Sequence, residues 1–325
     1  MIGRAPGGVL RTRRQRPPRG SPVSTDTPAR TSTPPADRTL RGSVRRRPLT
    51  WFFALAYGLS WVAWLPYVLS GNGLGVWHFT FPGGAGASQL TGVLPGAYLG
   101  PIGSALLIIA LTEGRAGLRT WRARMTRFKV SWRWYLAVLV SVPLALTLAS
   151  VVLSGDGPAR PSATVLLAFL PGLIAQLITT GLAEEPGWRE FAMPRMQRRH
   201  GPLVATLIVG VLWGGWHLPL FLTDWGGGPD ITWTEPVEFV ATAALFSFVM
   251  TWVFNRSGES MPLVMLLHCG VNNYFSIAGE DLFPGMSHAD VTHAFFLASL
   301  AGAVIALAAT RGRLGLPKRQ PGLTV

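Results

Sequence analysis

Three glutamates and an arginine, Glu184, Glu185, Arg189 and Glu190, stand together in "GLAEEPGWRE" at the end of a long apolar run. A carboxylate enclosed in an apolar cavity is a stronger base than one in water, so such a cluster suits the activation of a water molecule. Two further apolar stretches carry one polar cluster each: His217 in "LWGGWHLPLF", and His268 with Asn272 and Asn273 in "LLHCGVNNYF". An imidazole can position and polarise a water, and an imidazole beside an amide can donate hydrogen bonds to an oxyanion. His268 and Asn272 are four residues apart, so a helix projects both from one face; Glu185 and Arg189 share that spacing and can form an ion pair. Spacing by four is common, and a lone helical histidine is usually a satisfied core residue. Three separate apolar segments, each with polar groups at similar depth, change that balance.

Convergence requires elements of the right length. The chain has 325 residues, 49% hydrophobic and only 14% charged, a mixture too apolar for an ordinary soluble domain. Apolar runs near 51–70, 89–112, 134–154, 162–183, 203–222, 237–254, 261–278 and 291–310 each approach the length that crosses a bilayer, so the pattern predicts an all-α polytopic membrane protein of about eight spans. At the rise of a helix, Glu184 lies roughly 21 Å and His217 roughly 27 Å from the charges at Arg198 and Arg199, and His268 roughly 14–18 Å beyond Arg256 and Glu259. All three can therefore meet at mid-depth, provided that residues 184–197 run partly inside the protein.

The net charge of +14 invites a nucleic-acid partner, but its distribution argues against one. Twelve arginines against Asp26 and Asp37 place most of the excess in residues 1–50, an Arg/Pro-rich stretch with no apolar run, expected to be a disordered cytoplasmic tail. The bundle is expected over 51–310 and a short basic cytoplasmic tail over 311–325. Basic residues collect on the side of both termini, whereas Asp156, Asp224, Asp230, Glu235, Glu280, Asp281 and Asp290 fall in the opposite loops. Both termini are thus expected in the cytoplasm. An Arg-to-Lys count of 27 to 2 suggests a high-GC bacterium, and hence its cytoplasmic (inner) membrane. The lone Cys269 excludes an intrachain disulfide framework.

The motifs resemble those of the CPBP family of intramembrane proteases, which includes the type II CAAX prenyl endopeptidases and bacteriocin-processing, Abi-like members. "EEPGWRE" is similar to the family's EExxxR motif, "WGGWH" to the second, His-ending motif, and "HCGVN" to the HxxxN motif, in the family's order and over about Gly100 to Tyr274. Two positions depart from the pattern: Trp213 stands where Phe is frequent, and Glu190 where a small residue is common, a charge that could alter substrate preference. The resemblance implies a metal-independent glutamic endopeptidase without a cofactor, acting on a membrane-associated peptide or protein. It assigns Glu184 as the base, His217 to the water, His268 and Asn272 to the oxyanion, and Glu185 and Arg189 to support.

Other readings stay open. There is no HExxH motif and no GxSG-type serine motif within a span, yet Glu184, His217 and His268 are respectable zinc ligands, which makes zinc the lesser alternative. A non-catalytic membrane scaffold or a proton-coupled transporter would use the same buried groups to hold helices or carry protons. Of these readings only an enzyme depends on Glu184 for peptide cleavage.

Overall fold

In the computed structural model the described residues are Gly3, 39–228 and 232–316; they are helical with turns and carry no strand. The helices that matter for the site are α1 (Pro48–Leu69), α2 (Leu94–Thr112), α3 (Gly114–Met125), α4 (Trp132–Ser154), α5 (Ala163–Gln176), α6 (Met193–Trp216), α7 (Thr234–Arg256), α8 (Met261–Asn273) and α9 (His288–Thr310). The protein is an integral membrane protein with an all-α architecture. Among the described residues, 6 helical stretches are by length and composition long and apolar enough to cross a membrane, and Ala163–Leu222, at 60 residues, is one of them.

Each of the eight expected segments falls on helix, and the difference in count has two causes. Segments 162–183 and 203–222 both belong to the stretch Ala163–Leu222. At about 1.5 Å per residue that stretch is roughly three times the thickness of a hydrocarbon core, too long for one straight crossing. It breaks within α6 at Gly201, whose φ of 74° and ψ of 172° are non-helical, with Pro202 next to it. The segment 261–278 corresponds to α8 and a π-helical turn over Tyr274–Gly279, and His268, Asn272 and Asn273 lower its apolarity.

The expected tail needs a correction at its inner end. Residues 40–46 form a helix capped by Thr39, whose hydroxyl accepts from the Gly42 N–H, and α1 begins at Pro48 rather than after residue 50. Val44 and Leu49 are buried and belong to the hydrophobic core of the bundle. Apart from Gly3, residues 1–38 lie outside the described residues. At the other end Leu314 is buried and its carbonyl accepts from Asn255 Nδ2 at 2.8 Å, so the start of the C-terminal segment docks on α7.

Packing is closest where side chains are smallest. A Cβ at Gly210 would fall 2.7 Å from Ala244 Cα, and one at Gly214 would fall 2.9 Å from Val240 Cα, so this pair lets α6 lie backbone to backbone on α7. That approach fixes Trp213 and His217 relative to α7. Helix α4 contacts both α8 and α9, and α7 runs along α9.

Candidate active site

The helix carrying the glutamates is locally irregular. Between α5 and α6 the chain makes two π-helical turns, Leu177–Gly181 and Pro186–Ala192, on either side of Leu182–Glu185. Pro186 has no N–H for the carbonyl of Leu182, so the regular ladder cannot pass through it. The wider turns that result are features often found at functional sites. Residues 183–194 are all buried, as mid-depth convergence requires.

Glu184 and Glu185 are adjacent but face different partners. Glu184 Oε2 accepts a hydrogen bond from Trp213 Nε1 at 2.7 Å and lies 3.8 Å from His217 Nε2. His217 Nδ1 is 3.0 Å from the carbonyl of Trp213. That carbonyl can only accept, so Nδ1 carries a proton; in the neutral ring Nε2 is then the acceptor on the side of Glu184. Aromatic rings enclose the imidazole: Trp225 is stacked at 5.5 Å, with Trp216 at 4.7 Å and Phe239 at 5.1 Å edge-on.

Glu185 instead sits in a network built on one of its two oxygens, Oε2 being buried with no hydrogen-bond partner among the described residues. Its Oε1 meets His268 Nδ1 at 2.8 Å and accepts from Arg189 Nη1 at 3.2 Å. Arg189 also donates from Nη2 to Ser247 Oγ at 3.0 Å, and its guanidinium lies 4.0 Å over the Trp213 ring. Both Glu185 and Arg189 are 0% exposed, so each depends on the other for compensation of its charge. Asn272 is half-buried on the same face of α8 as His268, and it hydrogen-bonds none of these groups. The structure thus gathers Glu184, Glu185, Arg189, His217 and His268 in one buried cluster, with Asn272 on the helix face beside them.

Two contributors escaped the sequence reading. Trp213 had registered only as an aromatic replacement, but its indole N–H is a direct donor to Glu184, which no phenylalanine could supply; its position four before His217 was the available signal. Ser247 gave only a faint signal, a small hydroxyl in the apolar "LFSFVM". Glu190 faces another way. It is buried and ion-paired at 2.8 Å with Arg124 of α3. Among the described residues no group of three His, Cys, Asp or Glu side chains is arranged to hold a metal ion.

An apolar cavity of about 590 Å³ opens beside the cluster, lined by α4, α7, α8 and α9 and including Leu267, Val271 and Phe246. Phe246 forms its boundary with the site, its ring 6.4 Å from that of Trp213.

Residues 165–275 match the family described as type II CAAX prenyl endopeptidase Rce1-like. This segment belongs to that family. It contains every member of the buried cluster and Asn272, so the motif resemblance and the family match fall on the same residues. A CAAX prenyl protease 2 of Methanococcus maripaludis is 24% identical over 141 residues, covering 42% of this chain and 49% of the relative. The chain thus spans about half the length of the curated relative it matches.

Proposed function

We propose that the protein is an intramembrane endopeptidase that hydrolyses a peptide bond in a membrane-associated peptide or protein, with a water activated by Glu184. The observation that carries the reading is the pair Glu184 Oε2 and His217 Nε2, two acceptors 3.8 Å apart in a buried, aromatic-walled space. That separation is too long for a direct hydrogen bond. A water about 2.8 Å from both atoms would donate one hydrogen to each across an angle of roughly 85°, which its geometry accommodates.

In the proposed reaction Glu184 takes a proton as the water oxygen attacks the scissile carbonyl carbon, while His217 keeps the water oriented. The carbonyl π electrons move onto oxygen, where the amide N–H of Asn272 and Nε2–H of His268 donate. Since Nδ1 of His268 faces the Glu185 carboxylate, donation through Nε2 calls for a proton on each nitrogen, with Glu185 balancing the charge. Glu184 then returns its proton to the leaving amine as the C–N bond breaks. Arg189 holds Glu185, and through it His268, in place. The apolar cavity beside α8 would receive the apolar segment or lipid of the substrate.

The chemistry as written needs no metal. Purified protein is expected to retain cleavage of a membrane-delivered peptide in excess chelator. Loss of cleavage that added zinc restores would overturn the glutamic-type reading.

A further inference from the structure

Helix α3 is part of no catalytic element, yet its sequence, "GRAGLRTWRARM", is strongly patterned. Arg115, Arg119 and Arg122 recur at intervals of four and three residues, so they form one stripe along the helix, and all three are exposed. Leu118, Trp121 and Met125 flank that stripe and pack on the core. Arg124 lies on the opposite side, turned inward: its Nη1 is 2.8 Å from Glu190 and its Nε 2.6 Å from Glu259. Burial tends to lower its proton affinity, but these two carboxylates hold the guanidinium above its ordinary pKa. The helix is thus clamped from beneath, with its arginine stripe facing out.

Among the described residues no carboxylate is paired with the stripe. No acidic residue occurs from 114 to 134, Glu113 is paired with Arg195, and Glu190 and Glu259 are taken by Arg124. Lys129 and Arg133, which follow the helix in the chain, are exposed as well. Between and beside them Phe128 and Trp132 are 61% and 67% exposed. Large exposed aromatics at the head of an apolar span, here α4, are typical of the headgroup level of a bilayer.

We infer that Arg115, Arg119 and Arg122, extended by Lys129 and Arg133 and flanked by Phe128 and Trp132, form a binding surface for anionic phospholipid headgroups. Arginine forks match phosphate oxygens and also attract a net negative headgroup. The two aromatics place that face where headgroups lie. The Arg124 clamp presents it in one orientation, so little order has to be imposed on binding. An orientation signal alone would need the charge but neither the stripe nor the clamp.

The test uses the full-length protein in phosphatidylcholine vesicles containing a small fraction of spin-labelled phosphatidylglycerol or spin-labelled phosphatidylcholine. Electron paramagnetic resonance then measures how much of each lipid the protein immobilises. The expected wild-type preference for phosphatidylglycerol is about threefold, given the attraction of several basic residues to an anionic headgroup. The triple variant Arg115→Gln, Arg119→Gln, Arg122→Gln should lose at least half of that preference. A control that removes the same charge elsewhere, Arg45→Gln, Arg47→Gln, Arg313→Gln, should keep it. No preference in the wild type, an unchanged preference in the stripe variant, or an equal loss in both variants would overturn the inference.

Discussion

Glu184 and Glu185 are neighbours in the chain and opposites in the structure. Around Glu185 the charges are closed on one another: an arginine and a histidine meet its Oε1, and Arg189 is tied onward to Ser247. Around Glu184 a single indole donor is in place, and the imidazole that faces it stands 3.8 Å away. The first arrangement ties its charges to fixed side chains on other helices, as a structural support would, although Glu185 Oε2 and Arg189 Nε find no hydrogen-bond partner among the described residues. The second has room for a reactant between two acceptors. One helical turn can hold both because adjacent residues on a helix project about 100° apart, which sends the two side chains to different helices, Glu184 to α6 and Glu185 to α8.

The largest effect should come from breaking the closed half. Arg189→Ala leaves the Glu185 carboxylate buried without its guanidinium, a loss of about 3–5 kcal/mol by the usual cost of such a deletion. The check is the yield of monodisperse protein in detergent, expected to fall sharply in this variant and hold in one altered at Glu184. Next in size is Asn272→Ala, which should leave yield intact and slow cleavage about 100- to 1,000-fold, the range for removing one oxyanion donor. A change confined to KM would place Asn272 in substrate binding instead.

Smaller still is Trp213→Phe, which keeps the ring beneath Arg189 and removes only the N–H that reaches Glu184. It should change kcat by about tenfold, as for the loss of one hydrogen bond to a charged group at roughly 1.5 kcal/mol or more. Equal rates in the two proteins would show that the indole is packing and not part of the open half.

How much of this was legible in the chain differs between local and distant features. Apolar runs gave away the helices because membrane spans repeat one requirement over some twenty residues. The Glu185–Arg189 pair and the shared face of His268 and Asn272 were equally readable, since helical geometry fixes neighbours four apart. Meetings between distant elements were not. Nothing local says that Ser247 would receive Arg189, or that Arg124, from a surface helix, would take the charge of Glu190. The inner end of the basic tail was misjudged for a related reason. Its composition resembles disorder, and its apolar anchors Val44 and Leu49 are too few to register as a periodic pattern.

The central claim is that Glu184 is the base, and it is tested most directly by Glu184→Gln. Glutamine keeps the shape and can still accept from Trp213 through its amide oxygen, but it cannot take a proton from water. Cleavage of a membrane-delivered peptide should fall to background while the yield of monodisperse protein stays at the wild-type level. Wild-type cleavage by this variant would contradict the account.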